Sequence, residues 1–143
     1  MRTIVHFMGM KSTKYGGLEK FMSALVRKNN DMRFVLVYDE HPVSKAYVDE
    51  LQLYNVIIEV INFNSQGLQK QLTNYRRIFK RYSPDIVHFH FSNNLGALMA
   101  RLCGIKRIYK TVHSCITYNG LEVESYKQLG LKQRIFSVGG LIN

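Results

Sequence analysis

Five short runs of β-branched and aromatic residues, each followed by a stretch of helical periodicity, constrain this chain more than any other feature. They are residues 3–8 (Thr-Ile-Val-His-Phe-Met), 33–38 (Arg-Phe-Val-Leu-Val-Tyr), 56–61 (Val-Ile-Ile-Glu-Val-Ile), 85–91 (Asp-Ile-Val-His-Phe-His-Phe) and 107–113 (Arg-Ile-Tyr-Lys-Thr-Val-His). Turn-forming or polar residues bound each run, which is how strands read. Their near-continuous hydrophobicity suits strands buried on both faces, as in a parallel sheet covered by helices. After Gly16-Gly17, the apolar residues Leu18, Phe21, Met22, Leu25 and Val26 recur with helical spacing, and Glu19, Lys20, Ser23, Arg27 and Lys28 are expected to face outward. Ser44 to Tyr54 reads as a weaker helix after His41-Pro42. Leu68, Leu72, Tyr75, Phe79 and Tyr82 make another stripe, ended by Ser83-Pro84. Leu95, Leu98, Met99 and Leu102 make the last, with Gly104 as its expected C-terminal cap. This alternation predicts an α/β fold with an open, doubly wound parallel sheet. Such sheets bind ligands outside the carboxyl ends of their strands, so candidate site residues follow positions 8, 38, 61, 91 and 113.

The chain has 143 residues, 46% of them hydrophobic, enough for one domain with a real core. No apolar run approaches the roughly 18 residues of a membrane span. Arg2 precedes an apolar stretch, but His6 interrupts it and Lys11 and Lys14 follow where a signal peptide would have small residues. Cys103 and Cys115 lack zinc or redox spacing and are expected to be ordinary buried thiols in a reducing compartment, the cytoplasm. Twenty Lys and Arg against ten Asp and Glu give a net charge of +10, densest at Arg76, Arg77, Lys80 and Arg81 and at Arg101, Lys106, Arg107 and Lys110. That charge suits a solvated helix face, an anionic membrane surface or a phosphorylated substrate. No helix-turn-helix, zinc-finger or RNA-recognition signature accompanies it, so nucleic acid is not an expected partner. Residues 125–143 begin like another helix, with Tyr126, Leu129, Ile135 and Phe136, and then run into Ser-Val-Gly-Gly-Leu-Ile-Asn without a closing strand. The expectation is one domain over residues 1–143, truncated before the last strands of its sheet.

Three places carry candidate chemistry. The loop from Gly9 to Gly17 joins the first strand to the first helix, where paired glycines permit close approach and helix amides favour an anion such as a diphosphate. It matches neither Gly-x-Gly-x-x-Gly nor the P-loop pattern, and the glycines could simply turn the chain. His88 and His90 alternate on one face of the fourth strand. Two histidines at this spacing can share a metal, but the sequence offers no third ligand at a suitable spacing, and none is expected. His88 reads as a neutral core histidine and His90 as the one that contacts a ligand. Behind them, Ser92-Asn93-Asn94 can cap the next helix or hydrogen-bond sugar hydroxyls. His113, at the end of the fifth strand, can orient a hydroxyl or stabilise developing charge. Ser114 and Cys115 follow it, with no Gly-x-Ser-x-Gly elbow to make a nucleophile of either.

Taken in order, the Gly-Gly-x-Glu turn (Gly16, Gly17, Glu19), the strand Pro84-Asp85-Ile86-Val87-His88-Phe89-His90 and the strand end Lys110-Thr111-Val112-His113 resemble the N-terminal, Rossmann-like half of retaining glycosyltransferases of the GT-B fold, in the glycogen-synthase-like and mannosyltransferase group. The resemblance runs through most of the chain. It implies a nucleotide-sugar donor and a glycan or lipid-linked acceptor in polysaccharide or glycoconjugate biosynthesis. It further implies Gly16 and Gly17 near the donor diphosphate, His113 beside the reacting sugar as the catalytic residue, and His90, Asn93 and Asn94 on the acceptor side. Neither metal nor other cofactor is implied. The second domain, which holds the nucleotide in that group, has no counterpart in these residues, so the chain alone is expected to be inactive. The basic surface would then meet an anionic membrane at its cytoplasmic face. The competing reading is a stand-alone flavodoxin-like module that grips a phosphorylated ligand without chemistry.

Overall fold

The computed structural model describes residues 1–63, 67–91 and 93–111. Among the described residues, five strands and four helices alternate strictly: β1 (Thr3–Phe7), α1 (Gly17–Lys28), β2 (Arg33–Tyr38), α2 (Lys45–Leu53), β3 (Ile57–Val60), α3 (Leu68–Tyr82), β4 (Ile86–His90), α4 (Asn94–Leu102) and β5 (Arg107–Thr111). All strand pairs are parallel, in the order β3-β2-β1-β4-β5. The order reverses between β1 and β4, so a crevice opens at their carboxyl ends, where doubly wound sheets bind ligands. The expected parallel α/β sheet is therefore present. His113, Ser114, Cys115 and the segment 125–143 lie outside the described residues.

Side chains alternate across the sheet and build two cores. Val5, Phe7, Val35, Val37, Val87 and Phe89 pack under α3 and α4, against Tyr75, Ile78, Phe79, Tyr82 and Ala100. Phe34, Leu36 and Tyr38 face the other way, against Met22 and Val26 of α1 and Tyr47 and Leu51 of α2. The hydroxyls of Tyr38 and Tyr47 share a hydrogen bond of 2.7 Å inside this second core, and burial raises the Tyr47 phenol to about 12.

Several helix faces differ from the hydrophobic count. α1 buries Glu19, Met22, Ser23 and Val26, while Phe21 is exposed. The polar residues are inside because they have partners there: the Ser12 hydroxyl donates to Glu19 Oε1 at 2.7 Å, and the Tyr15 hydroxyl donates to Ser23 Oγ at 3.1 Å. α4 turns Gly96 and Ala100 to the sheet and leaves Leu98 and Leu102 exposed. The small residues win because the helix lies so close to the sheet that a Cβ on Gly96 would sit 2.6 Å from Phe89 Cε1. α3 buries Asn74, Tyr75, Ile78, Phe79 and Tyr82, and Leu68 is exposed in its first turn. Gly104, at φ +82°, does end α4: its amide donates to Arg101 O, and that of Ile105 to Ala100 O. Cys103, expected to be buried, is exposed at that helix end, because the turn directs its neighbour Ile105 into the core instead.

Candidate functional site

At the carboxyl ends of β1, β2 and β4 lies a crevice of about 90 Å³, lined by Phe7, Gly9, Val37, Asp39, Phe63, His90, Phe91 and Asn93. Gly9 has φ +59°, and a Cβ there would meet His90 O at 2.8 Å, so only glycine lets the chain leave β1 this close to the end of β4. Phe91 turns out of β4 through a left-handed backbone, φ +69°, unusual for a bulky residue. Its amide donates to Thr111 O at 2.8 Å, which holds the turn against β5. Asn93 begins α4: its Oδ1 accepts the Gly96 amide at 2.9 Å, and its Nδ2 donates to the Tyr75 hydroxyl. Burial holds the Asp39 carboxyl above its ordinary range, against a hydrogen bond from the Phe63 amide that favours the charged form.

His90 borders the crevice but directs its ring to the opposite side of the sheet. There, β1 and β4 pair His6 with His88, and the three imidazoles of His6, His88 and His90 gather, with one nitrogen of each within 4.8 Å of the others. His6 Nδ1 and His90 Nε2 share a hydrogen bond at 3.1 Å, and His88 Nε2 shares one with Thr111 Oγ1 at 2.8 Å. Burial differs from expectation: His90 is buried, and His88, read as the core histidine, is half-buried. His88 is half-buried because α1 and α2 cover β1 to β3 on this side and no described helix covers β4 and β5, where Tyr109 is 56% exposed. His6 lies well below the usual imidazole range, first through burial and then through the neighbouring His88 and His90.

The glycine loop is ordered from within. Glu19 Oε2 accepts the Gly16 amide at 3.1 Å while Oε1 takes the Ser12 hydroxyl, and Ser12 O accepts the Val43 amide at 3.0 Å. One of the two amides expected to face a diphosphate, that of Gly16, is thus already engaged. Gly17, the first residue of α1, has open space where a Cβ would be. Asn94 is exposed at the start of α4, and its Oδ1 accepts from Lys110 Nζ at 3.2 Å. The structure therefore brings His90 and Asn93 to one crevice and leaves Asn94 beside it. His113 is outside the described residues. Asp39 and His6 were not singled out in the sequence, although Asp39 directly follows position 38, where β2 ends.

A family model for glycosyl transferase 4-like proteins matches residues 18–137, most of the chain. The chain belongs to the glycosyl transferase 4-like family. The resemblance to the N-terminal domain of GT-B glycosyltransferases is thereby borne out. A search of the curated proteins finds no match. Among solved structures, this glycosyl transferase 4-like domain is similar to a UDP-N-acetylglucosamine 2-epimerase, with a TM-score of 0.50 and 16% identity, over 97% of this chain and 40% of that one. At that identity the likeness concerns the fold, and the chain spans well under half of the epimerase's length.

A larger hollow, about 650 Å³, opens at the amino ends of β4 and β5, between Lys80, Asp85, Cys103 and Lys106. It lies at the wrong end of the sheet for a doubly wound domain, and the C-terminal ends of α3 and α4, with Ser83 and Cys103 as caps, turn their carbonyls toward that end. The crevice between β1 and β4 is the better candidate. No described helix is long and apolar enough to cross a membrane.

Proposed function

We propose that this chain is the acceptor-side domain of a retaining hexosyltransferase that moves a sugar from a nucleotide-sugar to a hydroxyl of a glycan or lipid-linked acceptor, in polysaccharide or glycoconjugate biosynthesis. The observation that carries the reading, beyond family membership, is the crevice at the β1/β4 switch point, where Asp39, Asn93 and the backbone at Gly9 and Phe91 converge. A partly buried carboxyl and a capping amide beside aromatic Phe7, Phe63 and Phe91 suit a sugar, which offers hydroxyls at its rim and C–H groups on its faces.

In this reading the acceptor hydroxyl is held at the crevice and attacks the anomeric carbon. The bond from that carbon to the departing diphosphate breaks, and the new bond forms on the same face. The hydroxyl proton leaves with the diphosphate. Protein assistance is mainly electrostatic, directed at charge building on the leaving group. The amide of Gly17, at the positive end of α1, is suited to that role, and His113 would orient the reacting sugar. Transfer would require a nucleotide-binding second domain, so residues 1–143 alone would bind acceptor without turning over. The exposed cations Arg76, Arg77 and Lys80 on α3 would favour the anionic cytoplasmic face of a membrane, where lipid-linked acceptors reside.

The test is a transfer assay with a panel of nucleotide-sugars and glycan or lipid-linked acceptors, on this chain and on the chain joined to a family nucleotide-binding domain. Transfer by the joined protein alone is expected. Tight binding of a phosphorylated ligand by the chain, with transfer by neither, would contradict the reading and favour a binding module.

A further inference from the structure

The histidine cluster on the α1 side of the sheet is not needed for the acceptor crevice, yet it places three imidazoles from two strands at one point. We propose that His6, His88 and His90 bind a single late first-row transition-metal ion, with Zn²⁺ as its occupant. The donor set decides the class. Three neutral nitrogen donors without a carboxylate suit Zn²⁺ and its neighbours and not the hard cations Mg²⁺ or Ca²⁺, which take oxygen ligands.

Distances favour the same conclusion. At Zn–N bonds of about 2.0–2.1 Å, two nitrogens on a tetrahedral ion lie about 3.3–3.4 Å apart. His6 Nδ1 and His90 Nε2 are 3.1 Å apart, close to that edge, so an ion can replace the proton they share once the two rings turn their lone pairs toward it. The widest separation in the cluster, at most 4.8 Å, closes to that edge by a movement of less than about 1.5 Å. Thr111 Oγ1, 2.8 Å from His88 Nε2, already fixes the orientation of that ring.

His6, the most buried of the three, would ligate through Nδ1, the nitrogen it turns toward His90. Three protein ligands also leave a fourth position, on the side where Thr111 and Tyr109 leave the sheet uncovered by any described helix.

The experiment uses the whole chain, stripped with a chelator and titrated with Zn²⁺ or with Co²⁺ as a spectroscopic substitute. One bound ion per chain is expected, with the visible d–d bands of a four-coordinate, nitrogen-ligated Co²⁺. His88→Gln should keep its far-ultraviolet circular dichroism, lose those bands, and bind Zn²⁺ more weakly by more than the roughly 10- to 100-fold that an outer-shell partner is worth. Thr111→Val should weaken binding within about that 10- to 100-fold range. His41→Gln, at an exposed histidine outside the cluster, should change nothing. No uptake by the native chain, or full affinity retained in His88→Gln, overturns the proposal. If His88→Gln does not fold, unchanged affinity in Thr111→Val overturns it. Metal uptake is read without sugar transfer, so failure here leaves the transferase reading standing.

Discussion

Gly96→Ala isolates how closely α4 must approach the sheet to place Asn93 at the crevice. By helix propensity alone the substitution should stabilise the chain by about 1 kcal/mol. The structure argues the reverse. A Cβ at position 96 would lie 2.6 Å from Phe89 Cε1 and 2.9 Å from Asn93 Oδ1, the atom that accepts the Gly96 amide. Phe89 is fully buried and stacked on Phe7 with ring centroids 4.9 Å apart, so it cannot yield, and α4 must move outward instead. Overpacking of this kind costs about 1–3 kcal/mol, and disturbing the Asn93 cap adds about 1 kcal/mol. Net of the propensity gain, destabilisation of about 1–3 kcal/mol is expected, a fall in Tm of roughly 3–12 °C for a chain of this length. Differential scanning calorimetry of the two proteins measures it. A variant as stable as the parent, or more so, would refute the claim that direct helix–sheet contact sets the position of α4.

Gly17→Ala should leave the melting temperature unchanged or slightly raised, because the space beside Gly17 is open, while transfer by the protein carrying a nucleotide-binding domain falls at least about 10-fold if a diphosphate approaches that backbone. Glu19→Ala strips the Ser12 hydroxyl and the Gly16 amide of their acceptor and should cost about 2–3 kcal/mol in urea unfolding, with faster hydrogen exchange at Gly16. His6 carries its pH dependence in the direction of a depressed base: neutral when folded, it can take a proton near pH 6.5 only after unfolding. The metal-free chain should therefore be fully stable above about pH 6.5 and lose up to about 1.4 kcal/mol per pH unit below it, as far as the folded pKa of His6. Urea unfolding between pH 7.5 and 5.5 reads that slope, and a flat profile would contradict it.

Strand positions were legible because their apolar runs have no other use, and each of the five falls within a residue or two of its expected bounds over the described residues. Helix faces were less legible. Glu19 and Ser23 count as polar in any periodicity, and only their partners Ser12 and Tyr15 explain why they point inward. Gly96 carries no hydrophobic signal at all, yet α4 lies so close to the sheet there that a Cβ would clash with Phe89. The crevice was legible in outline from the rule about strand ends, which marked the positions of Gly9, of Asp39 and of the chain after Phe91. The histidine cluster was not, because His6 and His88 are 82 positions apart in the sequence. Their meeting depends on β1 pairing with β4 in the register that aligns them, and strand order is not written in local pattern.

In the proposed function, acceptor binds at the carboxyl ends of β1, β2 and β4. Backbone amide chemical shifts of the isotope-labelled chain, followed while oligosaccharide and lipid-linked acceptors are titrated in, test it most directly. Saturable shifts at Gly9, Asp39, Phe91 and Asn93 are predicted. Shifts confined to the hollow around Cys103, Lys106 and Arg107, at the other end of the sheet, would contradict it.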